Sequence, residues 1–206
     1  MTSRRTFLVT AGLVAPALLS VRLATAAEGP DTPIRELLTA LLISMKAGVS
    51  APFPQRYATL APHVEQAFDL SATLQATVGP RWSTFTPAQQ SQLLDAFRAF
   101  TIARYTENFD EFTGEKLEVL PDTHPAGADQ IVPTHIVPPR GDTIRIDYVM
   151  RQTTQGWRAV DVLLNGTISQ VAVQRSDFRA LLVSGGPDAL IASLRQKTAA
   201  FSGGTL

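Results

Sequence analysis

Two neighbouring strand patterns joined by a short polar loop constrain this chain more than any other feature. In the first, residues 142–151, isoleucine, tyrosine and methionine alternate with charged or polar residues. That period of two is typical of a half-buried strand. The loop at 152–156 is polar and ends in glycine, as hairpin connections do. The second pattern, 157–164, becomes apolar on both faces and therefore predicts a central strand. The pair predicts a twisted antiparallel sheet.

The residues after this hairpin predict a turn and two helices. Asn165-Gly166 predicts a tight turn, and apolar residues at helical spacing follow from Val171 to Leu182. The run Gly185-Gly186-Pro187-Asp188 interrupts the pattern, since glycine and proline disfavour helix interiors. A short final helix then carries Leu190, Ile191 and Leu194.

The N-terminal half of the chain is predicted to be helical. Thr32-Pro33 begins a pattern that runs to Gly48. A proline-rich bend at 51–54 precedes a short helix at 62–68 and another at 71–78. Thr86-Pro-Ala-Gln89 forms a capping box that starts the longest helix.

Two further strands are predicted between the helices and the hairpin, at 116–120 and 131–137. Pro133 lies in the second of them and favours an edge position or a bulge, because proline cannot donate a ladder hydrogen bond. The chain therefore predicts an α+β fold: a twisted antiparallel sheet of about four strands, covered on one face by several helices. We expect residues 27–206 to form a single domain.

The first 26 residues predict an export signal rather than a part of the fold. Ser3-Arg4-Arg5-Thr6-Phe7-Leu8 precedes an uncharged apolar run, and Ala24-Thr25-Ala26 offers small residues at the cleavage site. The paired arginines resemble a twin-arginine signal. The alternative is a membrane anchor, but Pro16 and Arg22 interrupt the short run. We therefore predict cleavage and a periplasmic location.

Composition excludes several classes of function for the exported chain. Without residues 1–26 it carries 15 basic and 18 acidic residues, a net charge of −3. A mildly acidic domain lacks the basic surface that nucleic acids require. The sequence contains no cysteine, so disulfides, thiolate metal sites and thiol catalysis are excluded.

The remaining candidates for metal binding or catalysis are few. His63, His124 and His135 lack metal-site spacing, and we expect them to be surface or hydrogen-bonded residues; no metal is predicted. Asp147 and Asp161 lie on neighbouring predicted strands and could act as a catalytic carboxylate pair. The simpler interpretation is that each pairs with a nearby arginine.

The clearest signal is an excess of apolar residues on the predicted helices and strands. One explanation is a filled core; the other is a cavity between helices and sheet that takes one apolar ligand. Periodicity alone favours the filled core. The residues expected to line a cavity are Leu37, Leu41, Met45, Phe53, Leu93, Phe97, Phe100, Tyr105, Ile136, Tyr148, Leu163 and Phe178.

A resemblance to a known protein family favours the cavity over the filled core. Five motifs, taken together, resemble the MlaC (toluene-tolerance) family. They are Ile146-Asp-Tyr148, Trp157-Arg-Ala-Val-Asp161-Val162, Gly166-x-x-Ser169, Arg175-Ser-Asp-Phe178 and Leu190-Ile191-Ala-Ser-Leu194. Their order and spacing are more specific than any one motif. The resemblance extends from about Ile34 to Leu194 and includes the capping box at Thr86.

The resemblance implies a periplasmic lipid carrier that serves an ABC-type transport complex in the inner membrane. It implies transient contact with membrane components, no cofactor and no enzymatic activity, with the lipid as cargo. The segments 52–56, 60–62 and 173–178 are most similar to the hopanoid-biosynthesis-associated branch, HpnM. The expected cargo is therefore a phospholipid or a hopanoid, moved between the inner-membrane transporter and the outer membrane. A flexing wall could hinge at 51–54 and 121–127.

Two other classes of function stay open at this point. One is a non-catalytic periplasmic adaptor of a lipid-transport complex, which would have a solid core. The other is a small-molecule enzyme that uses Asp147 and Asp161.

Overall fold

A six-stranded antiparallel sheet is the centre of the structure, a computed structural model that describes residues 28–206. Its order is β1-β3-β4-β5-β6, and β2 also pairs with β3. The α+β class is confirmed. The sheet has six strands rather than about four, because β2 and β6 are too short for a period of two to show in the sequence. The strands are β1 Lys116–Val119, β2 His124–Ala126, β3 Asp129–Val137, β4 Ile144–Thr153, β5 Gly156–Leu164 and β6 Ile168–Ser169.

Pro133 lies inside the sheet, so its predicted edge position is wrong. One side of β3 pairs with β4 throughout, while the other side pairs first with β2 and then with β1. The pairing with β2 ends at Ile131 and that with β1 starts at Thr134. The Pro133 carbonyl accepts from the Leu120 N–H on this interrupted side. The missing N–H of proline therefore costs no ladder hydrogen bond.

The register of β4 and β5 decides which side chains face the helices. Tyr148 pairs with Val162, and Ile146 pairs with Leu164, so these four lie on one face. Between Val149 and Met150 the register shifts, so that one extra β5 residue forms a bulge.

The predicted turn at Asn165-Gly166 is present and leads into β6. Both residues have positive φ, 52° and 72°, which is the combination of a type I′ turn. Asparagine and glycine adopt it at the lowest cost. The turn reverses the chain so that Ile168 pairs with Leu164.

The described part of the chain contains five α-helices: α1 Thr32–Ala47, α2 Phe53–Ala67, α3 Leu70–Val78, α4 Pro87–Asn108 and α5 Gln170–Phe201. The capping box at Thr86 is present and starts α4. The predicted short helix at 62–68 is wrong, because α2 begins at Phe53 and continues through Pro62. Proline in a helix interior costs about 3 kcal/mol, and burial of Leu60 and Val64 offsets this cost.

The predicted break in the last helical region is a kink within α5. Gly186 has φ 65° and ψ −160°, a combination that is essentially restricted to glycine. Pro187 follows it and begins the second helical part. This part carries the buried residues Leu190, Ile191 and Leu194.

The junction of α2 and α3 is attached directly to the sheet. Phe68 forms an isolated bridge with Ala159 of β5, and the Asp69 N–H donates to the Ala159 carbonyl at 2.9 Å. Asp69 also caps α3, accepting from the Ala72 N–H at 2.8 Å. This attachment holds the Phe68 side chain in the layer between helices and sheet.

The predicted export signal at residues 1–26 lies outside the described residues. Among residues 28–206, no helix combines the length and the apolar character needed to cross a membrane.

Candidate functional site

An apolar cavity of about 260 Å³ lies between the sheet and helices α4 and α5. Its floor consists of the helix-facing side chains of β4 and β5, and its walls come from α4, the α2–α3 junction and the start of α5. The lining residues are Phe68, Leu70, Thr73, Phe97, Phe100, Thr101, Arg104, Tyr105, Asn108, Phe109, Ile146, Tyr148, Asp161, Val162, Leu164, Gln170, Val171 and Gln174.

Aromatic rings form a large part of the cavity wall. Phe68 lies with its ring centroid 5.7 Å from Tyr105 and 6.1 Å from Tyr148. Tyr105 stacks on Phe109 at 5.9 Å. Aromatic contacts at these separations are favourable. They create an apolar wall from three elements that are distant in sequence.

The two tyrosines place neutral hydroxyl groups in this apolar wall. Burial raises the pKa of Tyr148 to about 12. Burial, with the adjacent Tyr148 hydroxyl, raises the pKa of Tyr105 well above its ordinary value. A phenolate is disfavoured in a site of low polarity. Both groups therefore stay protonated at neutral pH and can donate a hydrogen bond.

The outer part of the cavity is polar. Arg104 and Asn108 lie four residues apart on α4, and Gln170 and Gln174 lie four residues apart on α5. Residues at this spacing share one face of a helix. Two polar rows therefore border the cavity, and Asn108 is exposed while the other three are half-buried. This arrangement suits a ligand with an apolar body and a polar end.

Four of the twelve residues predicted from the sequence line the cavity: Phe97, Phe100, Tyr105 and Tyr148. The other eight lie outside its lining. Leu37, Leu41 and Met45 are buried on α1, and Leu93 is buried on α4. Their burial in the core accounts for their helical periodicity without a ligand.

The last four predicted residues also lie outside the lining. Phe178 packs edge-on against Phe97 at 6.4 Å, and Phe53 opens α2. Ile136 pairs with Ile144 and so shares the helix-facing side of the sheet. Leu163 pairs with Asp147 on the opposite face, so its neighbours Val162 and Leu164 line the cavity in its place. A contact of any of the twelve with a ligand stays a prediction.

Several lining residues were missed by sequence reasoning. The alternation that selected Tyr148 also places Ile146 on the same face, so that residue could have been found. Phe68 carried no such signal, since it lines the cavity through the attachment of the α2–α3 junction to β5. The polar residues of the rim lie in amphipathic helices whose exposed faces are polar anyway.

Asp147 forms the expected ion pair with an arginine. Its carboxylate is 2% exposed and accepts from Arg145 Nε at 2.9 Å and Nη2 at 2.7 Å. Gly166 approaches the pair closely: a Cβ there would lie 3.0 Å from Arg145 Nε. The pair thus secures the turn after β5.

Among the described residues Asp161 has no arginine partner, so that part of the prediction is wrong. One carboxylate oxygen accepts from the Ser169 hydroxyl at 2.5 Å, and the other from the N–H groups of Val162 at 2.7 Å and Val171 at 3.1 Å. Ser169 in turn caps α5 by accepting from the Ala172 N–H. The two residues satisfy N–H groups at the start of α5, as capping side chains do. The hydrogen-bond partners of Asp161 thus connect β5 to the start of α5.

No cluster of three His, Asp or Glu side chains in residues 28–206 could hold a metal ion. The expectation for His63 is wrong in one respect: its Nδ1 atom is buried and has no hydrogen-bond partner among the described residues. His124 is exposed and its Nδ1 lies 2.9 Å from the Asp122 carbonyl oxygen.

A second depression of about 420 Å³ lies on the other side of Phe68 and Leu70. Its lining includes Glu65, Asp69 and Arg98. Transfer of an apolar chain to such a polar surface brings little free energy. The apolar cavity is therefore the candidate ligand site.

Comparisons with known proteins agree with this architecture. The family model described as MlaC protein matches residues 35–196. Among solved structures, the fold is similar to the phospholipid-binding protein from Ralstonia solanacearum, determined in complex with a phospholipid. The TM-score is 0.73 at 19% sequence identity, and the match covers 85% of this chain and 99% of that one.

Proposed function

This chain belongs to the MlaC family, and we propose that it is a lipid carrier that encloses the apolar part of one lipid in the cavity described above. Proteins of this family are periplasmic. The observation that carries the proposal is the cavity itself, which has an aromatic and aliphatic interior and a polar rim.

The physical need for such a cavity follows from the cost of exposing lipid chains to water. Each methylene group transferred from water to an apolar site contributes about 0.8 kcal/mol. A lipid that crosses the aqueous periplasm must therefore keep its chains covered, while its polar head can remain at the rim. The phospholipid in the Ralstonia solanacearum protein, whose fold is similar, supports this class of cargo.

The volume of the cavity supports a moving wall. Sites that enclose a small-molecule ligand typically measure about 300–1,000 Å³, whereas this cavity measures about 260 Å³. A long acyl chain would need more space, so we propose that the helical wall shifts outward on loading. Residues 51–54 and 121–127 are the proposed hinges. Hydrogen exchange tests them: equal protection of both segments and the core, with and without lipid, would contradict this part.

We further propose that the carrier exchanges lipid with an ABC-type complex in the inner membrane and moves it between that complex and the outer membrane. The similarity of residues 52–56, 60–62 and 173–178 to HpnM proteins makes a hopanoid the alternative cargo to a phospholipid. An exported, cleaved form that begins near residue 27 is part of the same proposal.

The two other classes of function have less support. An adaptor with a solid core would not need an apolar cavity. An enzyme that used Asp147 and Asp161 would need free carboxylates, but both are engaged in intramolecular bonds. We therefore propose that the protein is not an enzyme.

Native mass spectrometry of the protein purified from its own periplasm tests the proposal. We expect a mass increment of one lipid per chain, identified after solvent extraction as a phospholipid or a hopanoid. A protein that is free of lipid, and takes up none from vesicles, would refute the carrier function and favour the adaptor.

A further inference from the structure

We propose that Phe68 and Leu70 form an end wall of the apolar cavity, against which the methyl end of a bound acyl chain lies, and that this wall limits the length of chain the protein accepts. The inference rests on the proposed carrier function and deepens it, because it adds a selection by chain length to the enclosure of one lipid. Enclosure alone explains why a chain is bound but not how long that chain can be.

Phe68 and Leu70 separate two spaces of opposite character. Of the residues that line the apolar cavity in the described part of the chain, these two alone also line the second depression. Each of them is 7% exposed. One layer of apolar side chains therefore divides the apolar cavity from the polar depression.

The depression beyond this wall is a poor environment for a lipid chain. Its lining carries the charged side chains Glu65, Asp69, Arg98 and Arg158, and Arg98 pairs with Glu65 at 3.6 Å. Charged groups lose free energy when an apolar chain displaces their water. A chain that enters the cavity should therefore end at the wall and not continue past it.

The wall lies opposite the polar rim of the cavity. Helix α4 borders both spaces: Leu94 and Arg98 line the depression, whereas Arg104 and Asn108 belong to the rim. The rise of an α-helix, about 1.5 Å per residue, separates Arg98 from Asn108 by about 15 Å along the helix axis. A lipid whose polar head stays at the rim thus directs its chains toward the side where the wall lies.

Hydrogen bonds to the sheet hold the wall in place. Phe68 forms its bridge with Ala159 of β5, and the Asp69 N–H donates to the Ala159 carbonyl at 2.9 Å. The Thr73 hydroxyl donates to the Asp69 carbonyl at 2.8 Å and so extends this attachment into α3. An outward shift of the other helices would widen the cavity, but the α2–α3 junction would stay with β5. The limit on chain length should therefore persist when the cavity widens.

Photolabelling locates the methyl end of the chain directly. Phosphatidylglycerol with a diazirine at the methyl end of its acyl chains is loaded from vesicles onto the delipidated protein, and peptide mass spectrometry after irradiation identifies the labelled residues. We expect labels on Phe68 and Leu70 and none on residues 153–155, which line the depression beyond the wall. The wild-type protein suffices for this measurement, so its result does not depend on the folding of a variant.

Uptake as a function of chain length tests the limit itself. The wild type is mixed with vesicles that contain equal amounts of phosphatidylglycerols with chains of increasing length, and the bound lipids are identified by native mass spectrometry. Uptake should be similar for chains that fit. Beyond that length it should fall about fourfold for each further methylene group, because that group leaves the bilayer without finding an apolar site.

Phe68→Ala should open the wall, and Phe100→Ala is its matched control. In Phe68→Ala, we expect labels on residues 153–155 and a fall in uptake that begins at longer chains. Phe100 is 6% exposed and lines the cavity but not the depression. Its truncation vacates a ring of the same size and should leave residues 153–155 unlabelled. Leu70→Ala is a smaller truncation of the same wall and replaces Phe68→Ala if that variant does not fold.

Several results would overturn the end wall. One is a wild type labelled at residues 153–155, or labelled only around Phe178, where α5 packs against Phe97. Another is wild-type uptake that does not depend on chain length. A third is a folded wall variant with the labelling pattern of the wild type, or a Phe100→Ala protein labelled at residues 153–155. A wild type that takes up no phosphatidylglycerol of any length would refute the carrier function itself, and the end wall with it.

Discussion

The guanidinium of Arg56 donates a hydrogen bond of 2.7 Å to the carbonyl oxygen of Thr106, 50 positions later in the chain. Thr106 lies in the last turn of α4, where carbonyls have no partner within the helix and a positive charge is favourable. Arg56 also donates to the Ala51 carbonyl at 3.3 Å and is 6% exposed. It therefore joins the start of α2 to the end of α4, the helix that carries Arg104 and Tyr105.

Arg56→Ala should lower the free energy of unfolding by about 2–3 kcal/mol, because it leaves the buried Thr106 carbonyl and the partly buried Ala51 carbonyl without their charged donor. Urea unfolding followed by circular dichroism measures the change. Arg140→Ala is the control, since Arg140 is exposed and its loss should change stability by less than about 0.5 kcal/mol. Equal stability of the two variants would show that the Arg56 bonds contribute nothing.

Val162→Trp should reduce lipid uptake by about tenfold or more. The larger side chain points into the cavity and displaces at least two methylene groups of a bound chain, each worth about 0.8 kcal/mol. Native mass spectrometry after incubation with phosphatidylglycerol vesicles gives the bound fraction. Leu163→Trp is the matched control, because that residue lies on the other face of the same strand. A loss of uptake in the control alone would mean that the strand register is shifted by one residue.

Asp161→Ala should destabilise the protein by about 1–2 kcal/mol, the usual effect of losing a helix cap. The physical reason is that the N–H groups of Val162 and Val171 and the Ser169 hydroxyl lose their acceptor. Thermal unfolding measures the loss of stability. Asp177→Ala is the comparison, because Asp177 is an exposed aspartate of α5. If Asp161→Ala left stability unchanged but abolished a turnover activity, the enzyme hypothesis would regain its support.

Stability should fall with rising pH between about pH 10 and 12. The Tyr148 pKa is raised by burial from 10.0 to about 12, so the unfolded chain loses its phenolic proton first. The stabilisation that comes from the raised Tyr148 pKa is complete below pH 10 and is lost as the pH approaches 12. The free energy of unfolding should decrease by about 2 kcal/mol over this range. Urea unfolding at pH 9 to 12 should show this decrease in the wild type and a smaller one in Tyr148→Phe. Parallel curves would indicate that Tyr148 ionises as readily in the folded protein as in the unfolded chain.

Local signals in the sequence predicted most of the fold. The alternation in β4, the capping box of α4 and the Asn165-Gly166 turn each depend on neighbours a few residues apart, so they are visible without tertiary context. The errors came from context that overrides local preference. Pro62 is kept inside α2 by burial of its neighbours, and Pro133 lies inside the sheet because its partner strand changes there.

The candidate site was harder to predict than the fold. Helical periodicity identifies a buried face but does not distinguish a filled core from the wall of a cavity, so Leu37 and Leu41 were selected together with Phe97 and Phe100. The prediction of Leu163 instead of Val162 as a lining residue has a different cause. On a strand that is apolar on both faces, the composition does not tell which face meets the helices.

By itself, the sequence determined the α+β class, the positions of most helices and strands and the helix-facing side of β4. It did so because helix caps, turns and hydrophobic periods are local properties of the chain. Only the tertiary structure decided where the cavity lies, since it depends on the attachment of Phe68 to β5 and on the register of β4 against β5.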